Sequence, residues 1–172
     1  MKLTDEEFNF LKLELENTPI MTDDDMSYIK SAHPLLYDAS MNFKTEYTTI
    51  FTETCLIYNL QNNKLNEFLC NKFEEPIENL YTMHRLIYGV GGYARRHRDR
   101  NTTHKTVSIV LSDNFTGGDM FLNDEFVPLN KSGEYVKFNG GKDFHEIKEV
   151  TSGNREVLIV WFSKNKSKYT LI

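Results

Sequence analysis

His97, Asp99 and His145 are residues of metal-ligating type, and an arginine, Arg155, stands ten positions after the last of them. In an extended strand alternate side chains face the same way, so His97 and Asp99 are expected to project together. Two neutral imidazoles and one carboxylate on one face of a metal form a facial triad. Such a triad leaves three coordination positions open, which suits ferrous iron that must also take a substrate and O2. The pieces are weak singly. His97-x-Asp99 reads equally well as a surface histidine beside a salt-bridging aspartate, and His145 as an ordinary sheet histidine.

The flank of Arg155 adds weight. Arg155, Val157, Ile159 and Trp161 fall on one strand face, and Glu156, Leu158, Val160 and Phe162 on the other. Apolar residues on both faces mark a strand buried on both sides. An arginine on such a strand is costly unless an anion pairs with it, and its planar fork matches a carboxylate two-for-two. The anion is either a protein Asp or Glu or a small dicarboxylate. Closeness to His145 favours the small molecule, because one ligand then spans metal and arginine.

These residues need a scaffold, and the chain changes rhythm along its length. Thr4-Asp5-Glu6-Glu7 is a capping box, followed by Phe8, Leu11 and Leu15 at helical spacing. Asp23, Asp24 and Asp25 read as the acidic N-terminus of a helix rather than a metal cluster. Phe43, Tyr47, Ile50, Phe51, Cys55 and Tyr58 fit a helical stripe among many threonines. Leu65, Phe68, Leu69 and Phe73 predict a further helix ended near Pro76. From His84 onward, alternation and turn residues predict strands over 84–88, 105–111, 119–122, 134–138, 144–150 and 155–162. Asn139-Gly140 is a turn signal, and 151–154 is expected to be a turn as well. Short strands at this spacing suggest an all-β double sheet, with the early helices covering one outer face.

Composition sets bounds. The chain has 172 residues, 40% of them hydrophobic and 26% charged, which fits one soluble globular domain over 1–172. Within it, 1–80 is expected to be a mainly helical support, 84–163 the catalytic core and 164–172 a solvated tail. A net charge of -5 argues against a surface that grips nucleic acid along its length, although a local basic patch is compatible with it. The first residues lack the basic start and apolar run of a signal peptide, and no segment is apolar over a membrane-spanning length. Cys55 and Cys70 fit no metal spacing and read as reduced thiols. A cytoplasmic protein without a membrane partner is the expectation.

The stretch Tyr88-Gly89-Val90-Gly91-Gly92-Tyr93-Ala94-Arg95-Arg96-His97-Arg98-Asp99 resembles the metal-binding strand of the 2-oxoglutarate- and Fe(II)-dependent dioxygenases, in their prolyl 4-hydroxylase-like branch. Residues 106–121, with Gly117-Gly118, resemble the strand, turn and strand that come next in that branch. Val127-Pro128, Gly133 and Phe138 continue the match, and His145, Val150, Gly153, Arg155 and Trp161 close it. The resemblance spans about residues 84–163, half the chain. It implies a double-stranded β-helix (jelly roll) with helices packed on one sheet, mainly β with N-terminal helices.

It also implies that His97, Asp99 and His145 bind Fe(II) and that Arg155 binds the distal carboxylate of 2-oxoglutarate. Tyr88 matches a position whose phenol helps hold that cosubstrate. There are departures. Many members carry lysine where Arg155 stands, and Val157 occupies a place where other branches have a hydroxyl. Tyr88 is the first choice for the missing polar partner, with Thr106 and Ser108 behind it. The implied reaction hydroxylates a C–H bond with O2, giving succinate and CO2, with ascorbate as a reductant. The implied target is a prolyl residue of a peptide or protein. Tyr93, Arg95 and Trp161 are candidate substrate contacts, because alternation puts Arg95 on the iron-facing side with Arg96, Arg98 and Arg100 turned away. Phe121, Phe138, Trp161 and Tyr93 are candidate pocket wall, and 89–92 a candidate hinge at the entrance. The alternatives are the same chemistry on another side chain, a nucleic acid or a small molecule, a non-redox cupin-like metal module, or a non-catalytic domain.

Overall fold

The computed structural model describes residues 1–22 and 50–164. Two antiparallel sheets face each other. The larger has the order β2 (Thr54–Ile57), β3 (Leu80–Tyr88), β12 (Arg155–Ser163), β5 (Thr103–Val110) and β9 (Tyr135–Phe138). The smaller has the order β1 (Ile50–Phe51), β4 (Tyr93–His97), β10 (His145–Ile147), β7 (Met120–Leu122) and β8 (Glu125–Val127). A two-stranded ribbon of β6 (Phe115–Gly117) and β11 (Val150–Gly153) lies between them in sequence. The fold is mainly β, a jelly roll with N-terminal helices.

The alternation along β12 sets the layers. Leu158, Val160 and Phe162 join one apolar core with Met83, Val107 and Ile109 of the same sheet. Helix α1 (Asp5–Glu16) contributes Leu11 and Leu15 to that core, and helix α2 (Asn63–Lys72) contributes Leu65 and Leu69. Each such side chain stabilises the fold by roughly 1.5–3 kcal/mol when fully buried. Val157 points the other way, into the core between the sheets with Leu86, Val110, Met120, Ile147 and Val150. The helices therefore cover the outer face of the larger sheet, as the pattern predicts. The capping box is formed: Thr4 Oγ1 accepts from the Glu7 N–H at 3.1 Å, and Glu7 accepts from the Thr4 N–H at 2.9 Å.

Three sequence expectations need correction. The helical stripe through Ile50, Phe51, Cys55 and Tyr58 is not helical: β1 pairs with β4, and β2 pairs with β3. Cys55 and Ile57 are buried while Thr54 and Leu56 are half-buried, a period of two that suits the β-branched residues there. Among the described residues, 1–80 still holds more helix than strand, with α1, α2 and a 3-10 turn at Ile77–Asn79, but β3 begins at Leu80 instead of 84. Residues 151–154 are mostly strand: β11 runs to Gly153, whose φ of 68 turns the chain before β12. Expectations for Asp23, Asp24, Asp25, Phe43 and Tyr47, and for the tail beyond Lys164, lie outside the described residues.

Candidate metal centre

β4 and β10 are neighbours, and their register sets His145 directly opposite His97. The two imidazole centroids are 4.3 Å apart. Asp99 sits two residues past the end of β4, and its N–H donates to the Gly140 carbonyl at 2.8 Å. This bond closes the chain back over the β9–β10 turn and brings Asp99 Oδ1 to 3.6 Å from His145 Nε2. One potential ligand atom from each of His97, Asp99 and His145 lies within 4.8 Å of the other two.

The surroundings orient each of these atoms. His97 Nδ1 donates to the Arg95 carbonyl at 2.6 Å, and His145 Nδ1 donates to the Asp143 carbonyl at 3.2 Å. A carbonyl only accepts, so both Nδ1 atoms carry the proton and both Nε2 lone pairs stay free for a metal. The Thr106 hydroxyl, from β5 of the facing sheet, donates to Asp99 Oδ2 at 2.5 Å. Burial, then the neighbouring His145, hold the His97 pKa below its ordinary 6.5. Burial alone would raise Asp99, but the facing His145 and the Thr106 hydroxyl outweigh it and hold Asp99 below 3.8. A His97 imidazole held back from protonation beside an ionised Asp99 suits a divalent cation.

Arg155 opens β12 directly opposite Tyr88 of β3. It is fully buried, and Nε, Nη1 and Nη2 all lack a hydrogen-bond partner among the described residues. Its guanidinium carbon lies 5.9 Å from the centroids of both the Tyr88 and the Phe115 rings. Burial pushes its pKa down to about 10, so it remains a cation at neutral pH. Burial likewise raises the Tyr88 phenol. Gly118, at φ 67, makes room for the arginine: a Cβ there would stand 2.7 Å from Arg155 Cδ.

One cavity of about 380 Å³ contains His97, Asp99, His145, Arg155, Tyr88, Thr106, Ser108 and Trp161 in its lining. Its size is that of a small-ligand site. Phe138 is also in the wall, while Phe121 faces Phe126 outside it. Tyr93 and Arg95 are not in the lining, and Arg98 and Arg100 are. The cause is a β-bulge. Ile147 pairs with Ala94 and His145 with His97, so three steps on β4 match two on β10. The extra residue shifts the parity. Ala94 shares the inward side with His97, Tyr93 packs on Phe51, and Arg95 lies against Tyr93. Residues 89–92 do not form the entrance either. Gly91 and Gly92 are tied to Val150 by backbone hydrogen bonds of 2.8 and 2.9 Å.

Gly140 was legible only as a turn residue. A Cβ there would overlap Asp99 Oδ2 and Thr106 Oγ1, so a bare backbone is what allows the carboxylate its place. The Asn139-Gly140-Gly141 run just before His145 is the sequence trace of this close approach. His84 is buried against Trp161, its Nε2 3.0 Å from Thr82 Oγ1, and His104 meets Glu75 at 3.0 Å. Neither belongs to the triad.

No family model and no curated protein matches the sequence. Solved structures match the fold. A viral collagen prolyl hydroxylase from Paramecium Bursaria Chlorella virus-1, in complex with 2OG, aligns with a TM-score of 0.57 at 13% identity, over 83% of this chain and 91% of that one. A Pseudomonas putida prolyl-4-hydroxylase aligns with a TM-score of 0.51 at 17% identity, over 92% of this chain and 99% of that one. An oxidoreductase of the 2OG-Fe(II) oxygenase family from Burkholderia pseudomallei aligns with a TM-score of 0.47 at 17% identity; it matches 60% of this chain, which spans 52% of that protein's length. Cupins are among the matched folds too. The chain therefore shares its jelly-roll fold with the two prolyl hydroxylase structures, and His97, Asp99 and His145 cluster inside it. No helix among the described residues is long and apolar enough to cross a membrane.

Proposed function

We propose that this protein is a 2-oxoglutarate- and Fe(II)-dependent oxygenase. The observation that carries this reading is Arg155. A buried cation with three unpartnered nitrogens is costly, and it persists where a ligand supplies the missing anion. It shares its cavity with the triad, so the ligand is one that reaches both. A small dicarboxylate with a chelating end meets that description. A cupin-like binding module needs the three ligands but has no use for the arginine.

In this reading His97, Asp99 and His145 hold the metal on one face through two Nε2 atoms and Oδ1. When bound, Fe(II) and 2-oxoglutarate supply the O2-dependent chemistry that hydroxylates a C–H bond, with succinate and CO2 as co-products. The chain's own residues position and shield. Arg155 pairs with the distal carboxylate in its planar fork, and the Tyr88 phenol beside it, kept protonated by burial, donates the second hydrogen bond. Ser108, buried on the cavity side of β5, is a further donor within the same wall. Thr106 is not a cosubstrate contact here, because its proton goes to Asp99. Val157, Ile159, Leu86 and Met120 keep that end of the cavity apolar, which strengthens the ion pair. The target is a prolyl residue in a peptide or protein, a choice supported by the names of the two structures that align above a TM-score of 0.5.

Anaerobic titration tests the reading. Fe(II) followed by 2-oxoglutarate should give a weak metal-to-ligand charge-transfer band, and Arg155→Ala should lose the band at moderate 2-oxoglutarate while keeping iron. Iron retained without a band in the unmodified protein points to a cupin-like module, and no iron uptake points to a non-catalytic domain. With ascorbate, O2 and proline-rich peptides added, a product heavier by one oxygen atom identifies the substrate side.

A further inference from the structure

The cavity wall holds two arginines besides Arg155, and they stand next to the metal ligands in sequence: Arg98 and Arg100. Among the described residues the lining contains one carboxylate, Asp99, and both of its oxygens are committed to the triad and to Thr106. Nothing acidic in that wall is left to pair with Arg98. Other cations nearby are paired. Arg96 meets Asp124 through two hydrogen bonds of 3.0 and 3.1 Å, and Lys148 meets Glu146 at 2.8 Å.

Arg98 differs from both. Its guanidinium carbon lies 4.3 Å from the centroid of the Phe144 ring, and it forms no ion pair among the described residues. Arg96 rests on the same ring at 3.8 Å. The ring is a fixed platform: the Phe144 N–H donates to Asn123 Oδ1 at 3.0 Å, and its carbonyl accepts from the Asn123 N–H at 2.7 Å. Stacking on a fixed ring orients a guanidinium without using its N–H groups. The result is an exposed, oriented cation at the rim of the metal cavity with its donors available.

We propose that Arg98 recognises an acidic side chain of a peptide substrate, flanking the residue that reaches the metal. The assignment deepens the oxygenase reading by naming the substrate's charge, and it rests on that reading only for which bond is changed. A peptide fits better than a nucleic acid. A phosphate backbone needs a track of free cations, whereas here the neighbouring Arg96 and Lys148 are already paired and the net charge is -5. A single oriented fork with no acidic partner among the described residues suits one carboxylate. Tyr81 and Trp161 offer ring surface for the rest of the peptide in the same lining.

The protein provides its own reporter, since its single tryptophan, Trp161, lies in that lining. Three blocked peptides with a Gly-Pro-Gly centre, flanked by Glu, Gln or Lys, are titrated against tryptophan fluorescence. The Glu peptide should bind about tenfold more tightly than its Gln isostere, the effect of one charge-assisted hydrogen-bonded pair. Arg98→Glu should reverse the order in favour of the Lys peptide. Phe144→Leu, which keeps the charge and removes the platform, should narrow the Glu-over-Gln ratio toward unity. Equal affinities, no binding by any peptide, or an order that survives Arg98→Glu would overturn the proposal. A thymidine oligonucleotide that outcompetes the Glu peptide would overturn it in favour of nucleic acid. The charge-transfer band is read in the same samples. Its absence alongside a Glu preference would sink the oxygenase reading and leave this one standing.

Discussion

At the scale of single residues, the site depends on atoms that are missing as much as on those present. Gly140 leaves space for Asp99 Oδ2 and the Thr106 hydroxyl, so Gly140→Ala should displace the carboxylate and weaken Mn(II) binding, measured by calorimetry, by at least about 100-fold, the upper range for disturbing a ligand's support. Thr106→Val should cost about 10-fold by the same measurement, with Thr106→Ser restoring most of it. If Thr106→Val left affinity unchanged, the hydroxyl would be an ornament of the sheet. Acid dependence follows from His97. Its pKa in the fold is below 6.5, so the unfolded chain takes up a proton at a higher pH than the folded one does. Stability is therefore lost as pH falls below 6.5, while the Asp99 contribution, with a folded pKa below 3.8, is present above 3.8 and is lost only as pH falls through that lower value. Mn(II) affinity should fall in the acid range beneath 6.5 as His97 takes up its proton; an affinity unchanged down to the carboxylate range would mean that His97 is not a ligand.

At the scale of elements, β12 and β4 mark what the sequence discloses and what it hides. The two-sided apolar character of β12 is written in its residues, and Arg155, Val157, Ile159 and Trp161, which alternation sets on one face, all line the cavity. The bulge in β4 leaves no such trace. Tyr93-Ala94-Arg95-Arg96-His97 alternates acceptably in either parity, and the choice is made by β10, fifty residues away. The same holds for Ile50–Ile57, whose helical spacing yields to pairing with β3 and β4. The triad was readable through the ordered resemblance over 84–163, since its pieces are weak singly. Its rim was misread, with Arg95 in place of Arg98, for want of one residue of register. The bulge brings Ala94 and His97 to the same side, and deleting Arg96 should test whether metal binding needs it. The shortened β4 would restore simple alternation against β10 and move His97 relative to Ala94. Far-UV circular dichroism should keep its β signal while metal uptake is lost; retained metal binding would show that the loop after β4, not the bulge, aims His97.

At the scale of the whole molecule, the larger sheet is a wall shared by two cores, and Arg155 is the one charged group sealed within it on the cavity side. Its pKa drop from 12.5 to about 10 means that the ligand-free fold carries a penalty on the order of a few kcal/mol at neutral pH. The sign is that of a depressed base: the cost is present in full below pH 10 and eases only as the guanidinium loses its proton above it. An apolar side chain of similar length removes the penalty together with the ligand's anchor. Arg155→Met should accordingly melt no lower than the parent protein when both are ligand-free. Adding 2-oxoglutarate at 100 times its dissociation constant to the Mn(II)-loaded proteins should stabilise the parent by about 2.7 kcal/mol more, roughly 5–10 °C for a chain of this size, and the variant not at all. A variant that is less stable without ligand yet still shifted by 2-oxoglutarate would mean that the arginine braces the sheet and that the dicarboxylate is held elsewhere.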